Sequence, residues 1–270
     1  MDNNFDNQLP LSYHGKTPSE VAEFASREAG KILMARLGES NDIHVKGKRN
    51  IVTEADLASE KYILHVIKEE YPQHGILSEE QGEDNPDREY VWIVDPLDGT
   101  NNFFFGIPYF CVNVALTHNE DVIMGVTYDP VRDEMFHAAK FGGAFLNGSK
   151  IRVSAINTLL NASVGMDLGY VREQAKAILD VALKLSPQIH CLRLLGSASL
   201  GMAYVACGRF SLYCHRHLYP WDTASGLVLI KEAGGEVKGW SGKPANIHEQ
   251  QIIAANDKLL SEFEQWLKSQ

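Results

Sequence analysis

The string Asp95-Pro96-Leu97-Asp98-Gly99-Thr100 sets two carboxylates three residues apart on a turn that directly follows the apolar run Val91-Trp92-Ile93-Val94. Pro96 fixes one backbone torsion and Gly99 permits a tight reversal, so both acids are directed into one space. Two negative charges at a strand end call for a counter-charge, and hard divalent cations that take oxygen ligands, magnesium first among them, suit the pair. Three further acids hold comparable positions: Asp56 and Asp222 at predicted helix starts, and Glu79 at a predicted strand end. If all five converge, they form an oxygen-rich cage able to hold two magnesium ions about 3.5–4 Å apart for in-line phosphoryl displacement. For Asp56 and Asp222 taken singly, helix capping is the simpler account, because Asp is a preferred cap residue.

The elements that must position these acids are legible from periodicity. Residues 1–16 are polar and aperiodic and read as a flexible arm. Thr17-Pro18-Ser19-Glu20 is a capping box with Pro at the first helical position, and the helix it opens runs to Gly38. A second helix is predicted after Thr53-Glu54-Ala55-Asp56, with Pro72 as its stop. Strands are predicted at Gly75–Ser78, Val91–Val94, Phe110–Thr117, Val122–Tyr128 and Met135–Ala138, several of them ending in acids. The acidic stretch Glu83–Glu89, which contains Pro86, reads as a solvated loop. The second half alternates: helix Val171–Leu185, strand Cys191–Leu194, helix Ala198–Cys207, strand Phe210–Cys214, a helix following Trp221-Asp222, strand Gln251–Ala255 and an amphipathic helix bearing Leu259, Phe263, Trp266 and Leu267. Helices layered on sheets follow from this order, since every sheet face needs cover.

Composition narrows the function class. The 270 residues are 44% hydrophobic and suffice for one large domain or two intimate halves, split near residue 155. With 25 basic against 35 acidic residues the formal charge is −10, which argues against direct nucleic-acid binding or a membrane-surface role. The acidic opening Met1–Asp6 lacks the features of a signal peptide and no apolar run reaches membrane-spanning length, so a cytoplasmic location is expected. Cys111, Cys191, Cys207 and Cys214 show no metal-type spacing and are expected as buried free thiols.

The strings Asp95-Pro96-Leu97-Asp98-Gly99-Thr100-Asn101-Asn102-Phe103 and Trp221-Asp222-Thr223-Ala224-Ser225-Gly226 resemble the two signatures of the inositol monophosphatase family of metal-dependent, lithium-sensitive phosphatases. Val52-Thr53-Glu54-Ala55-Asp56, Glu79-Glu80 and Gly196-Ser197-Ala198 fit in the same order, and the resemblance extends from about residue 17 to the C-terminus. It implies an α+β fold, a layered αβαβα sandwich of the sugar-phosphatase type, within a single phosphatase domain spanning residues 17–270. It also implies Glu79, Asp95, Asp98, Asp222 and the carbonyl of Leu97 as ligands for two magnesium ions, with a weaker third near Glu79. Asp56 and Thr100 are implied as the pair that orients and deprotonates the attacking water, with Glu80 orienting beside them. Gly99 and Thr100 would offer backbone N–H groups to phosphate, and Gly196, Ser197, Ala198, Asp98 and Asp222 would contact substrate. The implied substrate is a small phosphorylated polyol or sugar, and a homodimer is expected.

At one position the chain departs from the family pattern. Many members carry Glu seven residues before the second signature's Asp, and here His215 stands there, within Cys214-His215-Arg216-His217. A neutral His215 can bond an inositol hydroxyl; alternatively, Arg216 with the histidines would clamp a second phosphate, as in fructose-1,6-bisphosphate. The basic loop Lys46-Gly47-Lys48-Arg49 matches a mobile loop that closes over the site in the family, and the run Phe103-Phe104-Phe105 reads as core or interface rather than ligand contact. Inositol monophosphate hydrolysis is the leading expectation, with fructose-1,6-bisphosphatase activity as the alternative and a non-catalytic regulatory role as the competitor from another class.

Overall fold

Strands that read as continuous apolar runs need cover on both faces, and the first half of the chain supplies three of them in succession. The computed structural model describes residues 9–38, 43–45, 51–169 and 171–270. Its first half runs α1 (Pro18–Arg36), β1 (Ile43–Val45), β2 (Ile51–Thr53), α2 (Glu54–Glu70), β3 (Gly75–Ser78), β4 (Gly82–Asp84), β5 (Tyr90–Asp98), α3 (Thr100–Phe104), β6 (Cys111–His118), β7 (Asp121–Asp129), β8 (Glu134–Ala139), β9 (Gly143–Leu146) and β10 (Ser149–Lys150). The second half continues with β11 (Ser163–Met166), α4 (Arg172–Leu185), β12 (Cys191–Arg193), α5 (Ala198–Ala206), β13 (Leu212–His215), α6 (Pro220–Glu232), β14 (Glu236–Gly239), β15 (Ile252–Ala255) and α7 (Asp257–Lys268).

An eight-stranded sheet of order β10-β9-β8-β7-β6-β5-β3-β4 and a five-stranded sheet of order β12-β11-β13-β15-β14 organise the fold, with β1 and β2 forming a separate pair. α1 and α2 cover one face of the large sheet around a core that includes Leu33, Ile63, Trp92 and Val126. α5 and α6 fill the space between the sheets, where Met202, Tyr213 and Leu229 share one cluster. α4 and α7 close the far face through Ile178, Leu185, Leu259 and Phe263. The expected αβαβα layering is thus the observed architecture. α6 approaches β7 almost backbone to backbone: a Cβ on Gly125 would lie 2.6 Å from the Ser225 Cα, so only Gly admits this packing.

Several sequence expectations need correction. Of the acidic stretch expected as loop, Glu83 and Asp84 belong to strand β4 (Gly82–Asp84), paired antiparallel with β3, because an edge strand keeps acids in solvent while its backbone is satisfied. The helix expected to follow Trp221-Asp222 begins earlier: Pro220 opens α6, so Trp221 and Asp222 lie inside its first turn. β9, β10, β11 and β14 are not among the strands predicted from the sequence. Residues 9–16 are fastened rather than loose, since buried Glu70 accepts from the Ser12 hydroxyl (2.6 Å) and pairs with Lys16 (2.6 Å). Residues 1–8 and the basic loop Lys46–Arg49 lie outside the described residues. All four cysteines are free, but only Cys111 and Cys214 are fully buried.

Candidate active site

The ladder between β5 and β6 breaks between Asp95 and Asp98, where Pro96 has no N–H to donate. The break turns both acids to one side. The Asp95 carboxylate accepts the Leu97 N–H (3.0 Å), closing a small turn, and Gly99 reverses the chain with φ of +95° before α3 begins. A side chain at Gly99 would also press on the Tyr109 carbonyl at 3.1 Å and the Gly196 carbonyl at 3.3 Å, so Gly is required there twice over. Carboxylate oxygens of Asp95, Asp98 and Asp222 then lie within 4.8 Å of one another.

Each acid is held by a different element. Asp98 sits at the N-terminus of α5, where Oδ2 accepts from the Ser197 hydroxyl (2.6 Å) and the Ser199 N–H (2.7 Å), a position the helix dipole also favours for an anion. Asp222 is in the first turn of α6 and reaches back to the Tyr219 N–H (2.7 Å). A buried network anchors that turn: Asn113 donates to the Trp221 carbonyl and accepts from Thr127 (2.8 Å) and Ser225, while Ser199 donates to the Asp222 carbonyl (3.0 Å). Glu79 borders the same cleft, outside the tight triad, close enough for its charge to act on Asp95.

Buried like charges disfavour ionisation. Burial, reinforced by Glu79, Asp98 and Asp222, holds the Asp95 carboxyl well above the usual carboxylate range. Burial and Asp98 push Asp222 up to about 8. Asp98 is also raised by burial, against the pull of Ser197 and the α5 amides. An all-oxygen donor set whose members repel one another is what a hard divalent cation would relieve, so the residues present fit a magnesium-type ion.

Asp56 lies in the first turn of α2, buried, with Oδ2 accepting from the Thr53 N–H (2.8 Å) and Thr53 hydroxyl. Its other oxygen faces the Thr100 hydroxyl (3.2 Å), which also reaches the Leu97 carbonyl (3.0 Å). Burial, aided by the charge of Glu80, pushes Asp56 up to about 6, against the bonds from Thr53 and Thr100. Capping and site-building are therefore compatible: Asp56 and Asp222 each close a helix start and still face the site. The same helix also offers Ser59, which donates to the Pro96 carbonyl (2.8 Å), and buried Glu60, whose Oε1 accepts the N–H groups of Glu80 and Gln81 at 3.0 Å each. Neither Ser59 nor Glu60 stood out in the sequence, although Glu60 one turn after Asp56 was an available signal.

The acids open into a cleft of about 600 Å³ whose walls include Gly196, Ala198, His215, Tyr219, Trp221 and Phe105. Phe103 is core as expected, but Phe105 is 70% exposed and lines this cleft. His215 is buried and kept neutral by burial, its pKa lowered to about 3; Nδ1 accepts the His217 N–H (3.0 Å), which assigns the ring proton to Nε2. Arg216 corrects the clamp expectation. Its guanidinium stacks on Trp240 (4.5 Å) and bonds Gln251 (3.3 Å), bordering a different cavity. Alternation at the end of β13 sends it away from His215 and His217, a signal the sequence contained. No lysine or arginine among the described residues lines the cleft.

The sequence profile of the Inositol monophosphatase family matches residues 17–268. Inositol monophosphatase 1 of Solanum lycopersicum is 36% identical, aligned over 90% of this chain and 92% of its own. The fructose-1,6-bisphosphatase/inositol-1-monophosphatase of Thermotoga maritima is 37% identical, over 87% of this chain and 90% of its own. Among solved structures, extragenic suppressor protein suhB from Bartonella henselae superposes with a TM-score of 0.88 at 33% identity, covering 93% of this chain and 98% of that one.

Proposed function

Because the chain belongs to the inositol monophosphatase family, we propose that it hydrolyses a polyol monophosphate, myo-inositol monophosphate foremost, by in-line attack of water on phosphorus. The observation that carries this reading is the triad Asp95, Asp98 and Asp222, with oxygens within 4.8 Å, two of whose members, Asp98 and Asp222, line a cleft of about 600 Å³. Two or three magnesium ions held by Glu79, Asp95, the Leu97 carbonyl, Asp98 and Asp222 would supply the positive charge that draws in phosphate, acidifies water and stabilises the leaving oxygen. Thr100 orients the nucleophile and passes its proton to Asp56, whose raised pKa near 6 makes it a usable base. Glu80 tunes that base through its charge. Backbone N–H groups of Gly99 and Thr100 meet the phosphate, and the Gly196-Ser197-Ala198 turn with His215 borders the alcohol.

The cleft favours one phosphate over two. A second phosphate would meet no lysine or arginine among the described residues, since Arg216 faces elsewhere. His215, neutral and protonated at Nε2, suits a hydroxyl instead. The deciding assay is phosphate release with magnesium from myo-inositol 1-phosphate and fructose-1,6-bisphosphate at equal concentration. A higher kcat/KM for the monophosphate is expected. Preference for the bisphosphate would overturn the single-phosphate reading, and no turnover of either would favour the regulatory role.

A further inference from the structure

Asp98 owes its placement to a turn that has no acid of its own. Ser197 and Ser199 hold its Oδ2 (2.6 and 2.7 Å), and both follow the Leu194–Gly196 turn, in which Gly196 adopts φ of +82°. Two buried side chains grip that turn from opposite sides. From the first half, Asn102 donates to the carbonyls of Leu195 (2.7 Å), Gly196 (3.3 Å) and Tyr109 (2.7 Å). From the second half comes Asp167, at the end of β11: Oδ1 accepts the Gly196 N–H at 2.6 Å and Oδ2 the Tyr213 hydroxyl at 2.9 Å. The Tyr213 ring is itself immobile, pressed on Gly165 and Gly201 so closely that a Cβ at either would lie 3.0 Å or less from it. The grip is tight as well: a Cβ on Gly196 would fall 3.1 Å from the Asn102 amide.

We infer that Asp167 is a positioning residue of the active site, which through the Gly196 N–H sets the turn that aims Asp98 and thereby tunes the affinity of the acidic cluster for its divalent cation. This rests on the metal-site reading above. Asp167 lines the cleft but lies outside the triad of Asp95, Asp98 and Asp222; its hydrogen bonds go to the Gly196 N–H and the Tyr213 hydroxyl, so it acts through Gly196, Ser197 and Asp98. Groups that bond a metal ligand directly, as Ser197 and Ser199 bond Asp98, typically change metal affinity by about 10–100-fold, and Asp167 sets where those groups stand. Neither Asp167 nor Tyr213 belongs to the five sequence strings that marked the site, so their juxtaposition is visible only in the fold.

Magnesium titration of the full-length protein at constant temperature, read as binding heat by calorimetry and in parallel by the magnesium dependence of phosphate release, tests this. In Asp167→Ala the magnesium concentration giving half-saturation should rise about 10-fold or more, with kcat at saturating magnesium within a few-fold of wild type. Asp167→Asn keeps an acceptor for the Gly196 N–H and offers its amide to the Tyr213 oxygen, and should restore the half-point to within about 3-fold. A purely structural role would lower the melting temperature and leave the half-point where it was; that result overturns the inference. If Asp167→Ala does not fold, Tyr213→Phe, which keeps the packed ring, decides: a weaker shift in the same direction supports the inference, and an unmoved half-point refutes it. A wild-type protein without any saturable magnesium response would instead overturn the metal-site reading itself.

Discussion

At the residue scale, the carboxylates of Asp95, Asp98 and Asp222 are destabilised by burial, and Asp95 and Asp222 also by neighbouring acids. Asp95 is buried and held well above the usual carboxylate range by burial and by Glu79, Asp98 and Asp222. Asp95→Asn keeps the acceptor for the Leu97 N–H but removes a charge. Phosphate release should then fall by more than the about 100-fold typical of losing an outer partner of a metal ligand, while metal-free stability rises by about 1–3 kcal/mol. Parallel assay and thermal melting check this; a loss of both would mean that the acid is structural. Asp95 and Asp98 were readable because one short string fixes both, through a turn that needs Pro and Gly at set places. Arg216 departs from the clamp alternative because residues adjacent in a string are separated in space by strand alternation, which puts its guanidinium on Trp240 and Gln251.

At the scale of elements, α2 is a clasp rather than a mere cover for the sheet. Its first two turns present Asp56 to Thr100, Ser59 to the Pro96 carbonyl, and Glu60 to the backbone of Glu80 and Gln81. Removing Glu60 leaves two backbone N–H groups without their acceptor and frees the segment that carries Glu79. Glu60→Ala should cost about 2–3 kcal/mol and raise the magnesium requirement for turnover, whereas Glu60→Gln, which retains an acceptor oxygen, should recover most of both. Denaturant unfolding together with a magnesium titration measures this, and an unchanged metal requirement would confine Glu60 to stability. Helix starts and long strands were legible because capping boxes and apolar runs are local signals. Glu60, Asn102, Asn113 and Asp167 were not, because each acquires its role from a partner in a distant element and looks like an ordinary polar residue within its own.

Across the whole molecule, these shifted groups give stability a definite pH dependence. Asp222 is raised to about 8 and Asp167 to about 7, so between pH 6.5 and 8 the folded metal-free protein holds protons that the unfolded chain has released. Stability must therefore fall as pH rises through that window. Below it, His74 and His215, lowered by burial to about 4 and about 3, act in the opposite sense, because the unfolded chain gains protons that the folded one refuses. Metal-free melting temperature should drop by about 5 °C or more from pH 6.5 to 8, and magnesium should raise it more at pH 8 than at 6.5, since binding displaces those protons. A melting temperature that rises over this range without magnesium would refute the assignment. The two sheets also divide the labour in time. Asn102 and Asp98 emerge early in synthesis, and the Tyr109 carbonyl comes with them, but the Leu195 and Gly196 carbonyls and the Ser197 hydroxyl arrive with the second half of the chain. On the ribosome, a nascent chain that has delivered only the eight-stranded sheet has α2 in place but lacks the α5 groups that hold Asp98, and lacks Asp222. Incomplete products of translation are thus hydrolytically silent, and chemistry begins only when the molecule is nearly finished.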